Sequence, residues 1–184
     1  IKSKLVSCII GGENNHYIFT TKEAKELINK IKELKSKNSN LDFLVITSRR
    51  TGFDIKKLLK NELNKIAKLW LGEGKNPYEF ALYNSNYFII TSDSTSMISE
   101  ASISGMPIYV YQLPFKRKSI RFERFHNEFK ELNNIPILVL YDGATINGKD
   151  NEITNFSFSK SDFPLNNFVT NTTTYKKTQE LSSL

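Results

Sequence analysis

The sequence predicts an α/β domain built on a doubly wound parallel sheet, and three observations support this prediction. Short runs of Ile, Val, Leu and aromatic residues alternate five times with segments whose apolar residues recur at helical spacing. The runs have the continuous hydrophobicity of strands that are covered on both faces. Glycine or polar residues follow each run. Parallel sheets of this kind bind ligands where their strands end, so these exits are the first candidates for a site.

The first half of the chain contains three predicted strands and two predicted helices. Residues 5–10 predict a strand that ends at Gly11-Gly12. Residues 21–37 predict a helix capped by Thr21, because apolar residues share one face at Ala24, Leu27, Ile28, Ile31 and Leu34. Residues 41–47 predict a strand that ends at Ser48-Arg49-Arg50. A helix over 54–64 then leads to a strand over 66–71, which ends at Gly72-Glu73-Gly74.

The second half continues the alternation up to about residue 140. Asn76-Pro77 begins a short helix, with Pro77 in its first turn, where proline is favoured. Strands over 87–90 and 108–111 flank another short helix, and a last helix covers residues 120–132. Turn signals and polar residues then dominate. We therefore assign residues 1–140 to the α/β domain and residues 141–184 to a polar hairpin or extension and C-terminal tail of the same domain. The alternating Phe156, Phe158 and Phe163 predict either an extra hairpin or a docking strand.

The most informative stretch is the hydroxyl-rich turn that follows the strand over 87–90. It reads Thr91-Ser92-Asp93-Ser94-Thr95-Ser96, and Glu100 lies further along the helix that begins there. A helix N-terminus at a strand exit presents free backbone N–H groups and the positive end of the helix dipole, which together bind anions. Glu100 is placed to accept hydrogen bonds from sugar hydroxyls. The alternative interpretation is a capped helix with nothing bound, in which Asp93 or Ser94 is the N-cap and Gly105 ends the helix.

The arginines and the lysines of this chain are distributed differently. The net charge is +7, and of 26 basic residues 21 are lysines and five are arginines. The lysines spread over helix faces without interleaved aromatic residues, which disfavours a nucleic-acid partner. The arginines form two groups, Arg49-Arg50 and the set Arg117, Arg121 and Arg124. Arginine binds phosphate and carboxylate in a bidentate manner, so these residues are the better site candidates.

Cysteine and histidine usage narrows the possible chemistry. Cys8 is the only cysteine, so no intrachain disulfide can form and a reducing, cytoplasmic location is expected. No apolar run reaches the length of a membrane span. His16 and His126 stand alone, and no Cys/His set has metal-ligand spacing, so no metal site is predicted. The chain begins at Ile1 without a signal peptide, and we expect it to be part of a longer protein.

A set of motifs resembles the donor-site half of GT-B glycosyltransferases. The segment Asp93-Ser-Thr-Ser-Met-Ile-Ser-Glu100, continued by Gly105-Met-Pro107, is most similar to the bacterial peptidoglycan N-acetylglucosaminyltransferase. Together with Phe163-Pro164-Leu165, three further motifs narrow the resemblance to the mitochondrial-fission family named for elongated mitochondria. They are Ile46-Thr47-Ser48-Arg49-Arg50-Thr51, Asn76-Pro77-Tyr78 and Arg121-Phe122-Glu123-Arg124-Phe125-His126.

The resemblance implies the Rossmann-like, C-terminal half of a GT-B fold, which binds a UDP- or GDP-linked sugar as donor substrate and needs no cofactor. The turn Ser94-Thr95-Ser96 would hold the donor diphosphate, and Glu100 would hold the ribose hydroxyls. Ser48, Arg49 and Arg50 would face the same cleft. Asn76, Ser92 and Asp93 complete the predicted substrate-binding set. The N-terminal acceptor domain, which usually supplies the catalytic base in this fold class, is missing from these residues, so no catalytic residue is predicted.

Two functions of different classes follow from this resemblance. The first is a nucleotide-sugar-binding domain that acts as a metal-independent glycosyltransferase only within a longer chain or complex. The second is a non-enzymatic interaction protein that has kept the fold and recruits a partner to a membrane surface, through a peripheral contact with the membrane. Fold alone does not separate them, because function depends on the site.

Overall fold

The predicted alternation of strands and helices is present throughout the described part of the chain. The structure is a computed structural model that describes residues 3–131 and 139–142, with side chains up to residue 128. The strands are β1 (Lys4–Ile10), β2 (Leu41–Thr47), β3 (Ala67–Trp70), β4 (Tyr87–Thr91), β5 (Ile108–Tyr111) and β6 (Val139–Asp142). The helices are α1 (Thr21–Lys37), α2 (Phe53–Leu63), α3 (Tyr78–Asn84), α4 (Thr95–Ser102) and α5 (Ile120–Glu131).

The strands form one six-stranded parallel sheet in the order β3-β2-β1-β4-β5-β6. This order confirms the predicted doubly wound fold. The chain builds outward from β1 in one direction and then returns to build outward from β4 in the other. The switch point therefore lies between β1 and β4, and their carboxyl ends form the crevice where such sheets bind ligands.

Helices cover the two faces of the sheet with separate apolar clusters. On one face, side chains of α1 and α2 such as Leu27, Ile31 and Leu59 pack on Val6 and Val45 of the strands. On the other face, Ile98 and Ala101 of α4 pack on Phe88, Ile90 and Val110, while Ala81 of α3 packs on Ile46. Each fully buried Leu or Ile stabilises the fold by about 1.5–3 kcal/mol. Burial on both faces therefore holds the helices in fixed positions on the sheet, and with them the helix N-termini that follow the strands.

Two predicted details of the helix starts are wrong. The N-cap of α1 is Thr20 rather than Thr21, because Thr20 and Glu23 form a capping box in which each side chain bonds the backbone of the other. Pro77 occupies the N-cap position of α3 instead of its first turn. Other element boundaries differ from the prediction by one or two residues, as helix and strand ends commonly do.

The predicted boundary after residue 140 falls inside β6, which pairs in parallel with β5. Residues 141 and 142 thus belong to the sheet. The predicted hairpin or docking strand at Phe156, Phe158 and Phe163, and the tail from Asn171, lie outside the described residues. Among the helices that are described, none combines the length and the apolar character needed to cross a membrane.

Candidate functional site

A cavity of about 730 Å³ opens at the carboxyl ends of β1, β2 and β3, on the face that α3 and α4 cover. Its apolar floor includes Ile9, Ile46 and Trp70, which stand side by side in the strand register. Nine of the ten predicted substrate-binding residues line it, and these are Ser48, Arg49, Arg50, Asn76, Asp93, Ser94, Thr95, Ser96 and Glu100. The sheet topology thus brings together side chains that are far apart in the sequence.

Asp93 ties the two strands at the switch point together. Its carboxylate Oδ2 accepts a hydrogen bond from the Gly12 backbone N–H at 3.0 Å, and the Gly11 N–H donates to the Thr91 hydroxyl at 2.8 Å. The approach is so close that a Cβ added to Gly11 would lie 2.1 Å from Asp93 Oδ2. A Cβ added to Gly12 would lie 2.1 Å from the Arg50 carbonyl oxygen. Both glycines are therefore required for this contact between strand exits.

Arg50 reaches from the exit of β2 to the same carboxylate. Its Nη2 lies 2.8 Å from Asp93 Oδ2 and 3.4 Å from the Ser94 hydroxyl. The loop that carries Arg50 is held in turn by Thr51, whose hydroxyl lies 2.5 Å from the Gly11 carbonyl and accepts from the Ser48 N–H at 2.9 Å. The exits of β1, β2 and β4 are therefore linked by direct hydrogen bonds around one carboxylate.

The environment of Asp93 is unusual for a carboxylate. The side chain is fully buried, and burial raises the pKa of Asp93 above its ordinary value, while the Gly12 N–H and the Arg50 guanidinium oppose that rise. Its second oxygen, Oδ1, has no hydrogen-bond partner among the described residues. A buried acceptor without a partner is costly, and this cost adds to the unfavourable burial of the charged form.

The N-terminus of α4 opens toward the cavity without a cap. Ser94 occupies the N-cap position, but its side chain makes no capping hydrogen bond; instead the hydroxyl donates to Asp93 Oδ2 at 3.2 Å. The alternative prediction is thus confirmed in placing the N-cap at Ser94, but neither the Ser94 hydroxyl nor the Asp93 carboxylate caps the first turn, since both side chains are engaged elsewhere. The first-turn N–H groups of Thr95, Ser96 and Met97 lack intrahelical acceptors, and these residues line the cavity.

Glu100 is held in place by a residue that the sequence did not single out as a ligand. The Tyr78 hydroxyl donates to Glu100 Oε2 at 2.8 Å and so bridges α3 and α4. Partial burial and the neighbouring carboxylate raise the pKa of Tyr78, so the phenol stays protonated and remains a donor. Asn76 positions Tyr78, because its side-chain oxygen accepts from the Tyr78 N–H at 3.0 Å. The motif Asn76-Pro77-Tyr78 was the available signal for this arrangement.

Ser92 is the one predicted substrate-binding residue that does not line the cavity. It is fully buried, and its hydroxyl accepts from the Leu113 N–H at 2.9 Å. Behind it, His126 Nε2 lies 3.1 Å from the Ser92 carbonyl and 2.9 Å from the Tyr17 hydroxyl. His126 is thus part of a buried polar network that fixes α5 to the exit of β4, which its isolation in the sequence did not reveal.

Together, the strand order, the switch-point cavity and the helix start that faces it define a Rossmann-like α/β domain of the GT-B-like type. A solved structure supports this fold assignment. A Listeria monocytogenes protein described as a UDP-N-acetylglucosamine 2-epimerase superposes with a TM-score of 0.53 at 12% sequence identity, and the match covers 76% of this chain and 33% of that chain. At this level of identity the likeness concerns the fold alone.

The chain belongs to the mitochondrial fission ELM1 family, whose model matches residues 1–149. An uncharacterized protein of Rickettsia prowazekii, RP120, is 34% identical over 118 residues, which cover 60% of this chain and 32% of that protein. The mitochondrial fission protein ELM1 of Arabidopsis thaliana is 35% identical over 68 residues, which cover 36% of this chain and 16% of the plant protein. The matches thus span about a third or less of the length of these relatives.

Proposed function

We propose that the cavity binds a nucleotide-sugar through its diphosphate and ribose, as one half of a longer GT-B-like protein. The observation that carries this proposal is the start of α4, which has no side-chain cap and faces a cavity that Arg49 and Arg50 also line. Free N–H groups and the positive end of a helix dipole favour a bound phosphate. At α4 they lie beside the switch point, where doubly wound sheets bind nucleotides.

The charges around the cavity support an anionic ligand at this end. Arg50 offsets the buried carboxylate of Asp93 at 2.8 Å, so Asp93 does not oppose a phosphate with a full, unpaired charge. The Arg49 side chain is exposed at the cavity and has no ion pair with a described residue. Its planar guanidinium suits the bidentate binding of phosphate oxygens. Arg49 and the first turn of α4 are therefore the proposed diphosphate ligands.

The nucleoside would occupy the remainder of the cavity. Glu100 keeps one carboxylate oxygen for ribose hydroxyls while Tyr78 holds the other. Beyond it, Ile46 and Trp70 provide an apolar floor on which a planar base can pack. This arrangement does not distinguish uracil from guanine as the nucleotide base, and it does not identify the sugar.

Any transfer reaction would take place in the longer protein. The helix N-terminus and Arg49 would stabilise the charge that develops on the leaving diphosphate, which is preorganised electrostatic catalysis without a metal ion. No residue of the described part is proposed as the catalytic base. We expect the 184-residue chain alone to bind a nucleotide-sugar but not to transfer the sugar.

A thermal-shift titration with UDP, GDP and inorganic diphosphate tests this proposal. A ligand at a hundredfold excess over its dissociation constant stabilises the fold by about 2.7 kcal/mol. We expect Arg49→Lys to weaken all three ligands, because it keeps the charge and loses the planar fork. Glu100→Gln should weaken UDP and GDP and spare diphosphate, since it removes a sugar contact only.

Arg117→Lys is the matched control for Arg49→Lys, because Arg117 lies outside the cavity and should change none of these affinities. If no ligand shifts the melting temperature at millimolar concentration, the nucleotide-sugar proposal fails. The alternative proposal, a non-enzymatic protein that recruits a partner to a membrane surface, would then take its place.

A further inference from the structure

The arginines of this chain are concentrated around two cavities. Arg49 and Arg50 line the cavity described above, and Arg121 and Arg124 line a second cavity, so four of the five arginines are accounted for. Among the described residues, no lysine lines either cavity, although lysines outnumber arginines fourfold in the sequence. Because arginine is the better residue for bidentate anion binding, this separation points to a second anion-binding site.

The second cavity has a volume of about 650 Å³ and lies between α4 and α5. It shares Thr95, Ser96 and Phe122 with the first cavity. The first turn of α4 therefore stands between the two, and a ligand whose diphosphate lies on that turn can extend into both. With the nucleoside on the Trp70 and Tyr78 side, the group attached to the diphosphate enters the second cavity.

The charge in the second cavity fits a single negative charge. Arg124 Nε donates to Glu128 Oε1 at 2.6 Å, so this pair is neutral. Arg121 is exposed and has no ion pair with a described residue. One uncompensated guanidinium remains, which matches a carboxylate rather than a doubly charged phosphate. Ser96 and Ser99 add hydroxyls, and Phe122 and Phe125 provide an apolar wall for the faces of a sugar ring.

We propose that the ligand is a nucleoside diphosphate whose attached group carries a carboxylate, the chemistry of a nucleotide-linked uronic acid. Arg121 binds that carboxylate in the second cavity. This inference rests on the proposed function, because the diphosphate on α4 sets the position of the attached group. It goes further in naming the substrate class and a residue that selects it.

Calorimetric titration of the 184-residue chain with UDP, UDP-glucose and UDP-glucuronic acid tests the inference. The two sugars differ only in the oxidation of one carbon to a carboxylate. We expect UDP-glucuronic acid to bind about tenfold more tightly than UDP-glucose, as one charge-assisted hydrogen-bond pair provides. Arg121→Gln should remove this preference and leave the affinity for UDP unchanged. Arg117→Gln makes the same charge change in the same basic segment but outside both cavities, and should keep the preference.

The outcomes separate this inference from the proposed function. Equal affinity of the unaltered chain for the two UDP-sugars overturns the inference and leaves nucleotide-sugar binding intact, whatever the folding of the variants. If Arg117→Gln loses the preference for UDP-glucuronic acid as Arg121→Gln does, the preference is a general effect of positive charge, and the inference is overturned too. Failure of UDP itself to bind overturns both proposals. A further titration with UDP plus free glucuronate distinguishes the source of the carboxylate. If free glucuronate increases the affinity for UDP, and UDP-glucuronic acid binds no more tightly than UDP-glucose, Arg121 binds a separate acidic molecule. That result would contradict a carboxylate attached to the nucleotide.

Discussion

The starts of α1 and α4 solve the same problem in opposite ways. Every helix begins with backbone N–H groups that have no intrahelical acceptor. At α1 the Thr20 side chain accepts from the Lys22 N–H, and Glu23 accepts from the Thr20 N–H at 2.8 Å. At α4 no side chain of the N-cap residue bonds the first turn. The first helix start is closed by its own residues, whereas the second is open to the cavity.

The two starts also differ in what holds them in position. The capping box of α1 is local, with all partners within four residues. The start of α4 depends on Asp93, whose partners Gly12 and Arg50 come from the exits of β1 and β2. An open helix start is therefore kept in place by tertiary contacts instead of a cap. The N-cap residues of α2 and α3, Gly52 and Pro77, likewise make no side-chain capping bond; α4 differs from them in that a buried carboxylate shared with two other strand ends holds its start.

Breaking the tertiary anchor of α4 should have the largest effect on stability. A Cβ at Gly12 would lie 2.1 Å from the Arg50 carbonyl oxygen, which is main chain and cannot rotate away. We expect Gly12→Ala to lower the free energy of unfolding by about 3 kcal/mol, as overpacking of a closely packed site does. Chemical denaturation measures this difference.

Gly52→Ala is the matched control for that substitution. Gly52 is the N-cap of α2 with φ near −61°, and nothing lies within 4 Å of an added Cβ. The loss of a favourable N-cap residue and the reduced entropy of the unfolded chain roughly offset each other, so the net change should be within about 0.5 kcal/mol. Equal losses in the two variants would show that the β1 exit is not a tight anchor.

The same comparison shows which features the sequence could predict. The strands and helices follow from local periodicity and are confirmed, including α1 over its full predicted range. Even the misplaced cap of α1 had a local signal, because Glu23 lies three residues after Thr20 and not after Thr21. Contacts within one helix or strand, or between residues close together in the chain, can be predicted from the spacing of residues in the sequence.

The anchor of α4 could not be predicted in the same way. Asp93 and Arg50 are 43 residues apart, and they meet only because β1 lies between β2 and β4 in the sheet. The sequence indicated a parallel sheet but not this order of strands. The bridge from Tyr78 to Glu100 depends likewise on how α3 and α4 share one face of the sheet. The positions of candidate residues were therefore predictable, whereas their partners were not.

Removal of the N-cap hydroxyl should cost more stability at α1 than at α4. Thr20→Ala should lower the free energy of unfolding by about 1 kcal/mol, because a capping bond is lost. Ser94→Ala should lower it by about 0.5 kcal/mol or less, since its hydroxyl makes only two long bonds, to Asp93 at 3.2 Å and from Arg50 at 3.4 Å, and caps nothing. Denaturation of both variants checks the order. A larger loss in Ser94→Ala than in Thr20→Ala would mean that α4 is capped after all.

The carboxylates at the two helix starts should give the fold opposite pH dependences. Burial acts against the ionised form of Glu23, but hydrogen bonds from the Thr20 side chain and N–H prevail and lower the pKa of Glu23. Burial raises the pKa of Asp93. Glu23 thus stabilises the fold above its unfolded pKa of about 4.5 and loses that contribution as the pH falls through its folded pKa. The ionised form of Asp93 is disfavoured by the fold, so stability is lost as the pH rises from 3.8 through its raised pKa.

Glu23→Gln and Asp93→Asn each remove one ionisable carboxylate, so their stability relative to the unaltered chain reports the pH dependence of that group. We expect the stability of Glu23→Gln relative to the unaltered chain to fall as the pH rises toward 4.5, because only the unaltered chain gains from ionisation. The relative stability of Asp93→Asn should rise as the pH increases above 3.8, because only the unaltered chain then buries a charge. Each slope is limited to about 1.4 kcal/mol per pH unit, the value for one proton. Urea denaturation between pH 3 and 7 follows both differences, and slopes of the same sign would show that the carboxylate at α4 behaves as an ordinary cap.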